Sequence, residues 1–281
     1  MTRQLGLAAL TVLDADPFEL VQLAEQHGFD SIGVRLLPAT PQGTAYPLHV
    51  QEDSLRSLLR RLDDSPVRVC DVEVLALDAE FKAAALEPVL ATAARLGAVA
   101  LHVRGDDFDR ARLADSYAEL ATLCELYGLA ACLEFMPWSA VTTAHAAVDI
   151  VKQADGPARG VLVDALHVAR SATSPADIAA IPSDWLHYAQ ICDGSVPAPT
   201  DCAELIRQAR HERFVPGTGG INLTDIWAAL PADLPVSIEC PNEPLRRAVG
   251  THRWLAHLAE STRKVLSQAT QSNPDGTCQP E

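Results

Sequence analysis

The stretch "YAELATLCELYGLAACLEF", residues 117–135, decides the fold. Its first half has the apolar spacing of a helix, Gly128 stops that pattern, and Leu129–Phe135 reads as a strand. Near the end of the strand stands Glu134, a carboxylate in an otherwise apolar run that needs something to stabilise its charge. The same grammar occurs twice earlier in the chain. Asp16-Pro17 reads as a helix N-cap with proline at the first helical position, "PFELVQLAEQHG" as a helix ending at Gly28, and "FDSIGVRLL" as the next strand. In "EPVLATAARLGAVALHVRG", Gly97 ends the helix and Val99–Val103 forms the strand.

Repetition of helix, glycine and strand is the mark of a parallel sheet. Extended over the chain it yields about eight strands, the number that closes a (β/α)8 TIM barrel of the α/β class. The expected strands lie near Leu5–Leu10, Ser31–Leu36, Val67–Leu75, Val99–Val103, Ala130–Phe135, Gly160–Val163, His187–Ile191 and Val236–Ile238. One catalytic barrel domain is expected over residues 1–267, with a polar, disordered tail over 268–281. A doubly wound open sheet would carry a glycine-rich phosphate turn after its first strand. The one glycine-rich stretch, "PGTGGIN" at 216–222, comes late and follows no strand.

Composition narrows the function classes. With 281 residues, 48% of them hydrophobic, the chain can build a large core. Its formal net charge of −15, with lysine and arginine scattered, disfavours nucleic acid and anionic membranes as partners. No apolar run approaches the ~18 residues of a membrane helix. The N-terminus is too weakly basic and too soon acidic for a secretory signal. Seven unpaired-looking cysteines read as reduced, buried thiols of a cytoplasmic protein. A homo-oligomer is compatible with all of this.

Catalytic groups of such a barrel stand at the C-terminal ends of the strands. Strand five ends at Glu134, strand six ("GVLVDALH") at Asp164, and strand eight ("VSIECPNE") at Glu239. Strand seven ("HYAQICDG") carries Gln190, with Asp193 just beyond it. Three carboxylates on one rim repel one another unless a cation sits among them. Oxygen donors of this kind suit one Mg²⁺ or Mn²⁺ ion held by Glu134, Asp164, Gln190 and Glu239. Each has a plainer reading: Asp164 as the cap of the following helix, Glu134 and Glu239 as partners of barrel arginines, Gln190 as a hydrogen-bonding side chain. His167, one helical turn after Asp164, is a candidate for substrate contact, ligation or simple packing. Glu73, His102 and Arg104, at the ends of strands three and four, line the pocket or pair with one another. Arg210 and Arg213 form a small basic cluster that fits a substrate carboxylate or phosphate, or a solvated helix face.

With "LEFMPW", "LVDALHVARS", "YAQICDG" and "SIECP" in this order, residues 5–265 resemble the xylose isomerase-like TIM barrel superfamily, also labelled sugar phosphate isomerase/epimerase. The resemblance implies an enzyme of carbohydrate metabolism in which Glu134, Asp164 and Glu239 bind a divalent metal. Gln190 stands where histidine is frequent; hydroxypyruvate isomerases and some 3-dehydroshikimate dehydratases carry glutamine there. Members polarise a carbonyl with the metal and remove the neighbouring proton with a carboxylate, here Glu134 or Glu239, with His167 as a further catalytic candidate. The resulting enediolate is reprotonated in an isomerase or epimerase, or expels a β-hydroxyl in a dehydratase. The first expectation is an isomerase or epimerase of a small sugar or hydroxy-keto acid. A 3-dehydroshikimate dehydratase-like lyase is the second, and a non-catalytic polyol-binding barrel the third. The related endonuclease IV branch uses three zinc ions and many histidines, which this chain lacks.

Overall fold

The computed structural model describes residues 3–272. Eight parallel strands close in chain order into one barrel: β1 (Leu5–Leu7), β2 (Ser31–Arg35), β3 (Arg68–Leu77), β4 (Ala100–Gly105), β5 (Ala130–Glu134), β6 (Arg159–Asp164), β7 (Ala189–Ile191) and β8 (Val236–Ile238), with β8 paired to β1. Helices such as Pro17–His27, Arg110–Leu126 and Ala144–Val151 alternate with the strands. The helix boundaries follow the local chemistry read from sequence. Asp16 accepts the Glu19 N–H at the start of Pro17–His27, and Gly28 ends it at φ 68°, a left-handed conformation that glycine adopts without strain. Gly128 closes the helix before β5 in the same way, at φ 70°.

Strand parity sorts the interior into two sets. On β5, Ala131 and Leu133 belong to the large core between strands and helices, whereas Ala130 and Cys132 pack inside the barrel with Cys70, Ala100, Leu162 and Tyr188. Side chains alternate across a strand with period two, so the inner row of β5 runs Ala130, Cys132, Glu134. The inner row of β4 likewise continues from Ala100 to His102, and that of β6 from Leu162 to Asp164. Apolar groups fill the lower barrel, and the polar ends of the inner rows meet at the C-terminal rim.

Several element boundaries differ from the sequence expectation. β1 stops at Leu7, because Ala9–Val12 turn into a 3-10 helix whose Ala9 N–H donates to Glu73 Oε1 at 2.7 Å. β3 continues to Leu77, where it still pairs with Gly105 of β4. β7 starts only at Ala189, after a 3-10 turn over Ser183–Trp185. The last helix, Thr251–Ser272, passes the expected domain end at 267; residues 273–281 of the expected tail lie outside the described residues. No helix among the described residues is long and apolar enough to cross a membrane. Cys70, Cys124, Cys132, Cys192 and Cys240 are buried free thiols, and Cys202 is exposed.

Candidate active site and metal centre

A cavity of ≈ 350 Å³ opens at the rim. His102, Glu134, His167, Arg213 and Glu239 line its inner part, and Arg35, Arg104 and Arg210 also face it. Asp164 and Gln190 lie fully buried beside this floor.

Glu134 stands between two imidazoles. His102 Nε2 is 2.9 Å from Glu134 Oε2, and His167 Nε2 is 3.5 Å from Oε1. Trp138 presses edge-on against the His167 ring, with centroids 5.1 Å apart, which fixes the ring's orientation. Burial alone would raise the Glu134 pKa, but the two imidazoles and Arg213 hold it down at about 2. Burial likewise opposes a charge on His102, yet Glu134 raises that ring to about 9. His167 is lowered, mainly because it is buried.

Asp164 has two tasks. Its Oδ1 accepts the N–H groups of Leu166 (2.7 Å) and His167 (3.2 Å), so it caps the helix Ala165–Arg170, as its plainer reading held. Its Oδ2 lies 2.5 Å from Arg213 Nη1. The other nitrogen of the same fork, Nη2, is 2.6 Å from Glu239 Oε2. Arg213 therefore ties two of the rim carboxylates together. Gln190 Nε2 donates to Glu239 Oε1 at 3.2 Å. Burial pushes Glu239 up to about 7, with Arg213 opposing and Glu73, Asp164 and Glu134 adding to the rise.

Two buried oxygens in this ring lack a hydrogen-bond partner: Glu134 Oε1 and Gln190 Oε1. Buried acceptors left bare cost free energy, roughly 1–3 kcal/mol each, and such oxygens suit a cation. Glu134, Asp164 and His167 each offer one ligand atom, all within 4.8 Å of one another. The donor set thus fits a small divalent ion, with His167 among the candidates for ligation, one of the readings the sequence left open for it.

Other residues picked from sequence fall elsewhere. Asp193 does not line the cavity. Its Oδ1 accepts from Gly194 and Ile221, and its Oδ2 from Gly217 and Gly219, so it organises the "PGTGGIN" loop. Glu73 is fully buried; it is ion-paired with Arg35 and accepts the Ala9 N–H. Arg104 lines the cavity and donates to Asp106 Oδ2 at 2.8 Å. Sequence reasoning passed over Arg35, although it ends β2 as Glu134 ends β5. It also passed over Trp138, inside the quoted "LEFMPW". Asp71 was missed as well: it is fully buried, and neither carboxylate oxygen has a partner. Burial, then Glu73, raises it to about 8.

The sequence pattern of the xylose isomerase-like TIM barrel family matches residues 21–265. Among curated proteins, 3-dehydroshikimate dehydratase of Pseudomonas aeruginosa is 31% identical over 170 residues, covering 57% of this chain and 26% of that protein. The chain thus spans about a quarter of the length of the curated relatives it matches. Among solved structures, a xylose isomerase-like TIM barrel/4-hydroxyphenylpyruvate dioxygenase fusion protein superposes with TM-score 0.81 at 20% identity, over 100% of this chain and 45% of that one. The IolI protein with a bound zinc atom superposes with TM-score 0.76 at 20% identity, over 96% and 99%. At these identities the two structures establish the likeness of fold.

Proposed function

This chain belongs to the xylose isomerase-like TIM barrel family, and on that premise we propose that it is a divalent-metal-dependent lyase removing water from a hydroxy-carbonyl compound of the 3-dehydroshikimate kind. The observation that carries this reading is the buried ring of Glu134, Asp164, Gln190 and Glu239, with Glu134 Oε1 and Gln190 Oε1 free of hydrogen-bond partners. The 31% match to a dehydratase supports elimination over simple reprotonation. It thereby reverses the order of the two leading sequence-based expectations.

Glu134, Asp164, Gln190 and Glu239 would hold the ion, Mn²⁺ or Mg²⁺ by donor type. When bound it supplies Lewis-acid polarisation of the substrate carbonyl. Glu239 faces the cavity and takes the proton from the carbon next to that carbonyl. The C–O bond to the β-hydroxyl then breaks, and the hydroxide leaves with a proton as water. His167 also faces the cavity, within 3.5 Å of Glu134, and is placed to carry that proton. His102 orients Glu134 through their hydrogen bond, and Arg213 bridges Asp164 and Glu239 and fixes their positions.

An isomerase or epimerase is the second reading, because the same residues serve if the proton is returned instead of the hydroxyl being lost. Mass spectrometry of the product from 3-dehydroshikimate decides between them. Loss of one water with a new conjugated chromophore supports the lyase; a product of unchanged mass supports the isomerase.

A further inference from the structure

Four arginines line the cavity, and they differ in what they bond. Arg213 is ion-paired with Asp164 and Glu239, Arg35 with Glu73, and Arg104 with Asp106. Arg210 has no hydrogen-bond or ion-pair partner among the described residues. It is half-buried at the end of the helix Cys202–His211. On the same helix, Arg207 pairs with Glu204 and Glu212 at the surface. Arg210 instead faces a cavity lined by three other arginines, each of them paired. Burial, then the charges of Arg104 and Arg35, lower its pKa, with Asp106 opposing. An unpaired guanidinium among like charges marks a place for an anion.

The charges around this group decide which anion fits. Arg35, Arg104 and Arg210 contribute +3, and their partners Glu73 and Asp106 contribute −2, leaving +1. One negative charge balances that; a phosphate dianion would overshoot it. The groups acting on Arg210 are Arg104, Asp106 and Arg35, whereas those acting on Glu239 are Arg213, Glu73, Asp164 and Glu134. Arg210 thus feels a different set of charges from Glu239, while Arg35, which feels both Glu73 and Glu239, stands between the two ends of the cavity.

We infer that Arg210, flanked by Arg104 and Arg35, seats a monoanionic carboxylate of the substrate and so determines its specificity. The assignment rests on the proposed reaction only in that the carbonyl lies at the other end, against Glu134 and Glu239. Bidentate geometry makes Arg210 the principal contact, because the fork of a guanidinium matches a carboxylate. Arg104 and Arg35 supply field, since each already bonds a carboxylate. Arg213, the other basic residue of the sequence motif, is committed to Asp164 and Glu239.

The test is calorimetric titration of the metal-loaded protein with 3,4-dihydroxybenzoate and with its neutral amide, which differ in this one group. Wild type is expected to bind the acid roughly 10-fold or more tighter than the amide, about 1.4 kcal/mol. Arg210→Leu is expected to abolish that preference while leaving amide affinity and melting temperature unchanged, and Arg210→Lys to restore part of it. Equal affinity of wild type for acid and amide would overturn the inference, as would an undiminished preference in Arg210→Leu. So would displacement of the acid by inorganic phosphate at lower concentration than by acetate. An acid preference in a protein that leaves 3-dehydroshikimate unchanged would uphold the carboxylate site and remove the lyase reading alone.

Discussion

Arg213 Nη1 lies 2.5 Å from Asp164 Oδ2, although the two residues are 49 positions apart in sequence. The contact joins the loop after β7 to the end of β6, and the second arm of the guanidinium extends it to Glu239 at the end of β8. All three groups are buried. Removing one partner of a buried pair leaves the other charge without compensation, at a cost of roughly 3–5 kcal/mol. Arg213→Met is therefore expected to lower unfolding stability by about that amount, with Mn²⁺ recovering more of the melting temperature in the variant than in wild type. Denaturant and thermal unfolding with and without metal measure both. A loss under about 1 kcal/mol would show that the pair does not hold the rim.

Asp193 gives a second prediction. Its carboxylate gathers three backbone N–H groups of the glycine-rich loop, those of Gly217, Gly219 and Ile221, and that of its neighbour Gly194. Charge-assisted hydrogen bonds contribute more than neutral ones, so Asp193→Ala is expected to cost roughly 3 kcal/mol. The loop leads away from the segment carrying Arg210 and Arg213, so the variant should also bind acidic ligands more weakly. Asp193→Asn keeps one acceptor and is expected to fall between. Equal stability of wild type and Asp193→Ala by urea unfolding would refute this role.

The third prediction concerns pH. Asp71 is buried without partners, and its carboxyl is raised from 3.8 to about 8. Between those values the folded chain binds a proton at this site that the unfolded chain has released. Folding stability from this group is therefore greatest at low pH and declines as pH rises from about 4 to about 8. Asp71→Asn removes the titration, so the metal-free variant should lose less stability than wild type between pH 5 and pH 8. Parallel pH profiles for the two proteins would contradict it.

Much of this site is legible in the sequence, for a physical reason. Glu134, Asp164, Gln190 and Glu239 each interrupt an apolar strand at its C-terminal end, and a parallel barrel brings all such ends to one rim. The barrel was visible because helix, glycine and strand follow in that order before β2, β4 and β5, and apolar runs of strand length recur over the rest of the chain. Side-chain pairing was not visible. Nothing in "RHERFVPG" separates Arg210, which faces the cavity unpaired, from Arg213, whose fork is shared by two carboxylates. Asp193 read as a substrate-binding candidate because it lies just past β7, but the bridge between Asp193 and Phe214 draws it toward its own loop. Asp71 stands mid-strand rather than at a strand end, and the register shift that pairs Ile32 with Val69 but Gly33 with Asp71 is not visible in "RVCDVEVLAL".

The fourth prediction concerns the metal ligands. Asp164→Asn, Glu134→Gln and Glu239→Gln are each expected to lower Mn²⁺ occupancy by ten-fold or more in affinity, about 1.4 kcal/mol, and Gln190→Ala by less, because it contributes a neutral oxygen. Equilibrium dialysis with metal analysis reads the result. Unchanged stoichiometry in every single and double variant would remove the metal centre from these residues.

The central claim is tested most directly by turnover of 3-dehydroshikimate before and after chelation. The account predicts loss of one water per substrate, followed by absorbance and mass, in the presence of Mn²⁺ or Mg²⁺. The loss should cease on chelation, return on adding the ion back, and be absent in metal-loaded Glu239→Gln. A wild-type protein that releases water equally well after complete chelation, or a fully loaded Glu239→Gln that matches wild type, would contradict it.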